Sequence, residues 1–88
     1  MNMKEIAEAR SDIYWSTPVE VRVGYGFPER IRGPKEALDY LNYRWPVREG
    51  TYYIKALKEC AASLQRRLPL ERVRQTFIQA SIEARMLS

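Results

Sequence analysis

Val19, Val21 and Val23 alternate with Glu20 and Arg22. This period-two pattern in β-branched residues predicts a half-buried strand. Pro18 suits its first position, where no ladder donor is needed. The stretch Gly24-Tyr25-Gly26-Phe27-Pro28 supplies turn chemistry. Glu29 to Gly33 then reads as a short second strand, its Ile31 sharing the valine face. The two strands would form an antiparallel hairpin with Arg22, Arg30 and Arg32 on its outer face.

Downstream the apolar period lengthens to three and four residues, the helical spacing. Gly33-Pro34 reads as a helix start, with proline at the first helical position. Glu36 lies in the first turn, where the helix dipole favours an acid. Ala37, Leu38 and Leu41 make its apolar stripe, and Trp45-Pro46 ends it, because the residue before proline is pushed out of the α region. A second helix begins near Thr51, whose hydroxyl is expected to cap it, with Gly50 allowing the entry. Its stripe is Tyr53, Ala56, Leu57, Cys60, Ala61 and Leu64, with Lys55, Lys58 and Glu59 lying off it; Arg66 and Arg67 favour its C-terminal end. A third helix, from Pro69 to about Met86, carries Leu70, Val73, Phe77, Ala80 and Ala84. Ile78 and Ile82 widen its apolar face.

The order β-β-α-α-α predicts an α+β fold, one small domain over residues 17–88 with the antiparallel β-hairpin packed against three α-helices. Residues 1–16 are expected to be a short helix or partly disordered, docked at the C-terminal end by Ile13, Tyr14 and Trp15. A two-stranded hairpin is marginal in water. It must be covered by helices, joined by a third strand or extended across a subunit boundary.

Composition narrows the chemistry. The 88 residues carry 15 Lys and Arg against 11 Asp and Glu, a net charge of +4. There is no histidine. That removes the Ser-His and Cys-His nucleophile pairs and the zinc sites that lean on His or several Cys. No acid, base, nucleophile or metal set converges, so no enzyme and no cofactor are expected. A single cysteine cannot make an internal disulfide, which fits a reducing cytoplasm. No apolar run approaches a membrane span, and the acids of the N-terminal stretch argue against a secretory signal or transit peptide.

Trp45-Pro46, Gly50, Tyr53, Ala56 and Cys60 form one spaced pattern; Arg74, Phe77, Ile78, Ala80, Glu83 and Ala84 form another. Pro18-Val19 opens a strand upstream, and Pro34, Ala37 and Leu41 fit a further helical pattern. Together, over about Pro18 to Ala84, they resemble the domain-of-unknown-function 982 family, small proteins found mostly in rhizobia and related α-proteobacteria. Arg66 departs from the pattern, standing where many members carry a glycine after the second helix. The resemblance implies no activity and transfers no catalytic residue.

Each marked residue has a plain structural explanation. Trp45 beside a helix-ending proline is expected to plug the core. Cys60, central in its stripe, is expected to be buried and inert. The glycines at the hairpin tip lack the phosphate-loop signature, and no helix follows them directly. Tyr25 and Phe27 are left to project from that tip. Arginines also gather at the last interhelical corner, at Arg66, Arg67, Arg72 and Arg74; pairing with Glu20, Glu29 and Glu71 would make the basic surface a solvated mosaic.

The sequence therefore points to a cytoplasmic, non-catalytic protein-interaction module that binds a protein partner or itself, a homodimer being one form. Its candidate surface is Arg22, Arg30, Arg32, Tyr25, Phe27, Ile78 and Ile82. The alternative is a weak nucleic-acid binder with the arginines on phosphates and Tyr25 or Phe27 on bases.

Overall fold

The computed structural model describes residues 13–65 and 67–88. Strand β1 (Val19–Val21) pairs antiparallel with β2 (Glu29–Ile31), in the register Val19 with Ile31, Glu20 with Arg30 and Val21 with Glu29. Helices α1 (Pro34–Tyr43), α2 (Thr51–Ser63) and α3 (Leu70–Glu83) follow. The α+β hairpin-and-three-helix architecture read from the sequence is the one observed.

The core lies where the hairpin's inner face meets the helices. Val19, Val21 and Ile31 contribute from the sheet, and Ala37, Tyr40 and Leu41 from α1. Tyr53, Ala56 and Cys60 come from α2, and Val73, Phe77 and Ala80 from α3. Phe77 is fully buried, its ring 5.7 Å from those of both Trp15 and Trp45. Trp45 also meets Tyr40 edge-on and Tyr53 at a tilt, at 6.4 and 6.3 Å. The expectation that Trp45 plugs the core is met, and Trp15 joins it from the segment that precedes β1.

Three local readings are corrected. First, Thr51 is not a cap. It is the first residue of α2, Gly50 holds the cap position with φ 122°, and no cap side chain bonds there. Glu83 of α3 does that work from a distance, its carboxylate accepting the N–H groups of Tyr52 and Tyr53 at 3.2 and 3.1 Å. Second, Glu59 is buried although the sequence pattern puts it off the apolar stripe. Its carboxylate accepts the Thr76 hydroxyl at 2.8 Å and an Arg72 N–H at 3.2 Å, so partners on α3 satisfy it. Leu57 and Leu64 are only partly buried, since the α2 face is rotated toward Glu59 and Ser63.

Third, α3 stops at Glu83 and Met86 is not part of it. Arg85 adopts φ 58°, the Met86 N–H bonds the Ser81 carbonyl at 2.7 Å, and the Arg85 N–H bonds that of Ile82 at 3.0 Å. These are the two bonds of a Schellman ending, here with arginine in the left-handed position usually held by glycine. The turn swings Met86 into the core, where it is 2% exposed. Leu87 then bridges Val21, with the Arg22 N–H on the Met86 carbonyl at 2.7 Å and the Ser88 N–H on the Glu20 carbonyl at 3.0 Å. The outer edge of β1 is thus covered by the chain itself.

Candidate interaction surfaces

The sequence-predicted surface residues fall on three separate patches. The first is the hairpin tip. The Gly26 N–H closes a tight turn onto the Val23 carbonyl at 2.9 Å, with Gly24 at φ 56°. Tyr25 and Phe27 project from it, 107% and 91% exposed. Both rings stand in solvent.

The outer face of the hairpin is the second patch, and it is less basic than the sequence suggests. Arg30 lies opposite Glu20. Arg32 is engaged: its guanidinium bonds the Glu36 carboxylate at 2.9 and 2.7 Å, and its own N–H reaches the same group at 2.9 Å. The guanidinium also lies 5.4 Å from the centre of the Tyr14 ring. The shared bonding holds the Glu36 carboxyl below its ordinary value and the Arg32 guanidinium above its own. Arg22 and Arg30 are exposed and form no ion pair among the described residues. The arginine face thus reduces to two free cations around one carboxylate.

The third patch is the outer side of α3. Ile82 is 49% exposed, while Ile78 packs partly against the core. With Met86 withdrawn, the continuous apolar strip read from the sequence shrinks to a single exposed isoleucine on this helix. The corner cluster is similarly reduced. Arg72 pairs with Glu59, and Arg74 bonds Glu71 at 3.0 Å and the Thr17 carbonyl at 2.8 Å. Arg66 lies outside the described residues.

One site was missed by sequence reasoning, the groove between β2 and α1. It is a cleft of 340 Å³ walled by Glu29, Arg30 and Ile31 on one side and by Asp39, Tyr40 and Tyr43 on the other. The Tyr40 hydroxyl donates to Glu29 at 2.7 Å, and Arg44 donates to the same carboxylate at 2.8 Å while lying 4.5 Å from the Tyr40 ring centre. Arg44 and then Tyr40 hold the Glu29 carboxyl below its ordinary value. Burial, with the Glu29 bond, pushes the Tyr40 phenol up to about 12. A polar pair placed eleven residues apart on a strand and a helix has no sequence signature.

Cys60 is fully buried, and burial followed by the nearby Glu59 charge pushes its thiol up to about 12. A thiol so protonated and covered is a poor nucleophile. It should resist a thiol reagent such as Ellman's reagent at pH 8 in the folded protein and react fully in denaturant. Rapid labelling under native conditions would contradict this burial. Among the described residues no group of three or more His, Cys, Asp or Glu could hold a metal ion, and no helix is long and apolar enough to cross a membrane.

Comparison with known proteins matches this framework. The family model described as a protein of unknown function (DUF982) matches residues 17–88. The chain belongs to the DUF982 family. A similar solved structure, the NMR structure of the Agrobacterium tumefaciens protein Atu1219 from a structural genomics consortium, has a TM-score of 0.74 and 35% identity. The match covers 88% of this chain and 77% of that one. No curated protein matches. The residues that carry the DUF982 resemblance are here structural. Trp45, Tyr53, Ala56, Cys60, Phe77 and Ala80 are core, while Gly50 and Glu83 form the entry to α2. Tyr25 and Phe27 are not among these pattern residues, although the matched span, residues 17–88, includes the tip.

Proposed function

We propose that this chain is a non-catalytic protein-interaction module of the cytoplasm that engages a protein partner through its hairpin tip. The observation that carries this reading is the exposure of Tyr25 and Phe27. Two aromatic rings in solvent on one turn, flanked along the chain by Arg22 and Arg30, which form no ion pair among the described residues, are of the residue types that anchor protein interfaces. A lone buried cysteine suits a reducing compartment. The nucleic-acid alternative draws less support, because Arg32 is committed to Glu36 and Glu20 sits within the arginine face. Self-association through α3 is also weakened, with Met86 in the core and one edge of the hairpin closed.

The test is the double substitution Tyr25→Ser with Phe27→Ser. Its melting curve should match the parent, since surface changes of this kind stay within about 0.5 kcal/mol. A partner cross-linked by the parent should be lost by the variant. An unchanged cross-linking pattern would refute the tip as the binding surface. Titration of labelled DNA and RNA in the same experiment separates the alternative: binding that weakens steeply with added salt would favour phosphate contacts. Sedimentation across the micromolar range decides the homodimer, which would show as a concentration-dependent mass.

A further inference from the structure

The tail of the chain reveals which way the main-chain groups of the hairpin face. Glu20 and Arg22 exchange bonds with Ser88 and Met86. Alternation in an antiparallel ladder then turns the groups of Val19 and Val21 toward β2, where Ile31 and Glu29 are their partners. Arg30, opposite Glu20, must aim its N–H and C=O the other way, toward α1. On either side of it most of this edge is already closed. The Arg32 carbonyl accepts the Trp15 N–H at 2.8 Å, the Arg32 N–H goes to Glu36, and Pro28 has no N–H to give. Among the described residues the Arg30 N–H and C=O have no backbone partner, and the Pro28 C=O has none either; the Arg30 pair opens on the 340 Å³ cleft beside Tyr40 and the 78% exposed Tyr43.

We propose that this edge and cleft bind an extended segment of another protein, with an acidic residue opposite Arg30 flanked by apolar residues. Strand addition supplies the two main-chain bonds, because a single residue of the segment can exchange both with Arg30. Its side chain then falls beside the Arg30 guanidinium, which has no ion-pair partner among the described residues, so a carboxylate is favoured there. The neighbours on either side turn to the opposite face, over Ile31, Tyr40 and Tyr43 and beside Glu29, whose carboxylate is already held by Tyr40 and Arg44, so apolar groups are favoured there. A second copy of this chain is a poor occupant. A two-fold pairing through these groups would set Arg30 against Arg30, and like charges directly opposite destabilise a ladder. The proposal rests on the reading of the chain as a protein-binding module but uses a surface separate from the tip, so each can fail alone.

The probe is a blocked peptide, Ser-Val-Glu-Val-Ser, titrated into the ¹⁵N-labelled full chain, beside its counterpart with Lys in place of Glu. The Glu peptide should shift the Arg30 and Ile31 amides, slow exchange at Arg30, and bind about fivefold more tightly than the Lys peptide. Arg30→Glu, at an exposed position, should invert that preference. Methylating the central peptide nitrogen should abolish binding, a result independent of any change to the protein. The Tyr25→Ser, Phe27→Ser variant should titrate as the parent does. The proposal is overturned if millimolar peptide leaves the Arg30 amide unmoved, if the Glu and Lys peptides bind alike, if the methylated peptide binds as well as its parent, or if loss of the tip aromatics removes binding.

Discussion

Gly50→Ala is expected to lower the melting temperature by roughly 15 °C, from a destabilisation of about 3 kcal/mol at about 4–8 °C per kcal/mol for a domain of this size. Two costs combine. Gly50 sits at φ 122° and ψ 151°, a region essentially closed to residues with a side chain and costing about 1–3 kcal/mol to enter. A Cβ there would also fall onto the Glu83 carboxylate. Displacing that carboxylate removes the acceptor for the Tyr52 and Tyr53 amides, a loss of about 1 kcal/mol by analogy with helix caps. Glu83→Ala alone should therefore show only the smaller cost. Thermal unfolding of both variants by circular dichroism separates the two effects. If Gly50→Ala were no worse than Glu83→Ala, backbone strain at position 50 would have no part in the argument.

Phe77→Ala is expected to cost about 3–5 kcal/mol, the range for emptying a buried aromatic site. That is a large share of the roughly 5–15 kcal/mol by which domains are stable. The ring lies at zero exposure with its centre 5.7 Å from those of both tryptophans, so its removal opens a cavity beside Trp15 and Trp45. Urea unfolding followed by tryptophan fluorescence is the direct measurement, because both reporters border the cavity. Phe77→Leu should retain much of the stability, since it conserves most of the volume. A cost for Phe77→Ala below about 1 kcal/mol would mean the site collapses, contrary to the close packing of interiors.

Legibility in the sequence followed how local each cause is. The valine alternation and the helical stripes are set by neighbours in the chain, and they gave the hairpin and the three helices. Two of the errors came from long-range partners and the third from an unusual local stop. Glu59 reads as surface because its burial depends on Thr76 and Arg72, residues of another helix. Thr51 reads as a cap because nothing in the local sequence announces Glu83. The third helix reads too long because its stop is an arginine in a left-handed turn, where glycine is the usual signal. Among candidate sites, the exposed tip was legible from turn chemistry alone. The cleft was not, since its walls come from a strand and a helix and its open groups belong to the backbone.

The bridge between Val21 and Leu87 also bears on the order of folding. Hairpin and helices can form from contacts close along the chain, which close quickly. The tail strand must travel from the last residues back to the first strand, and long-range closure is the slow and entropically expensive kind. Until it docks, β1 carries an open edge of the sort that recruits other chains. An undocked tail would thus leave that edge open to misassembly, and the left-handed turn at Arg85 is the feature that directs the tail onto β1.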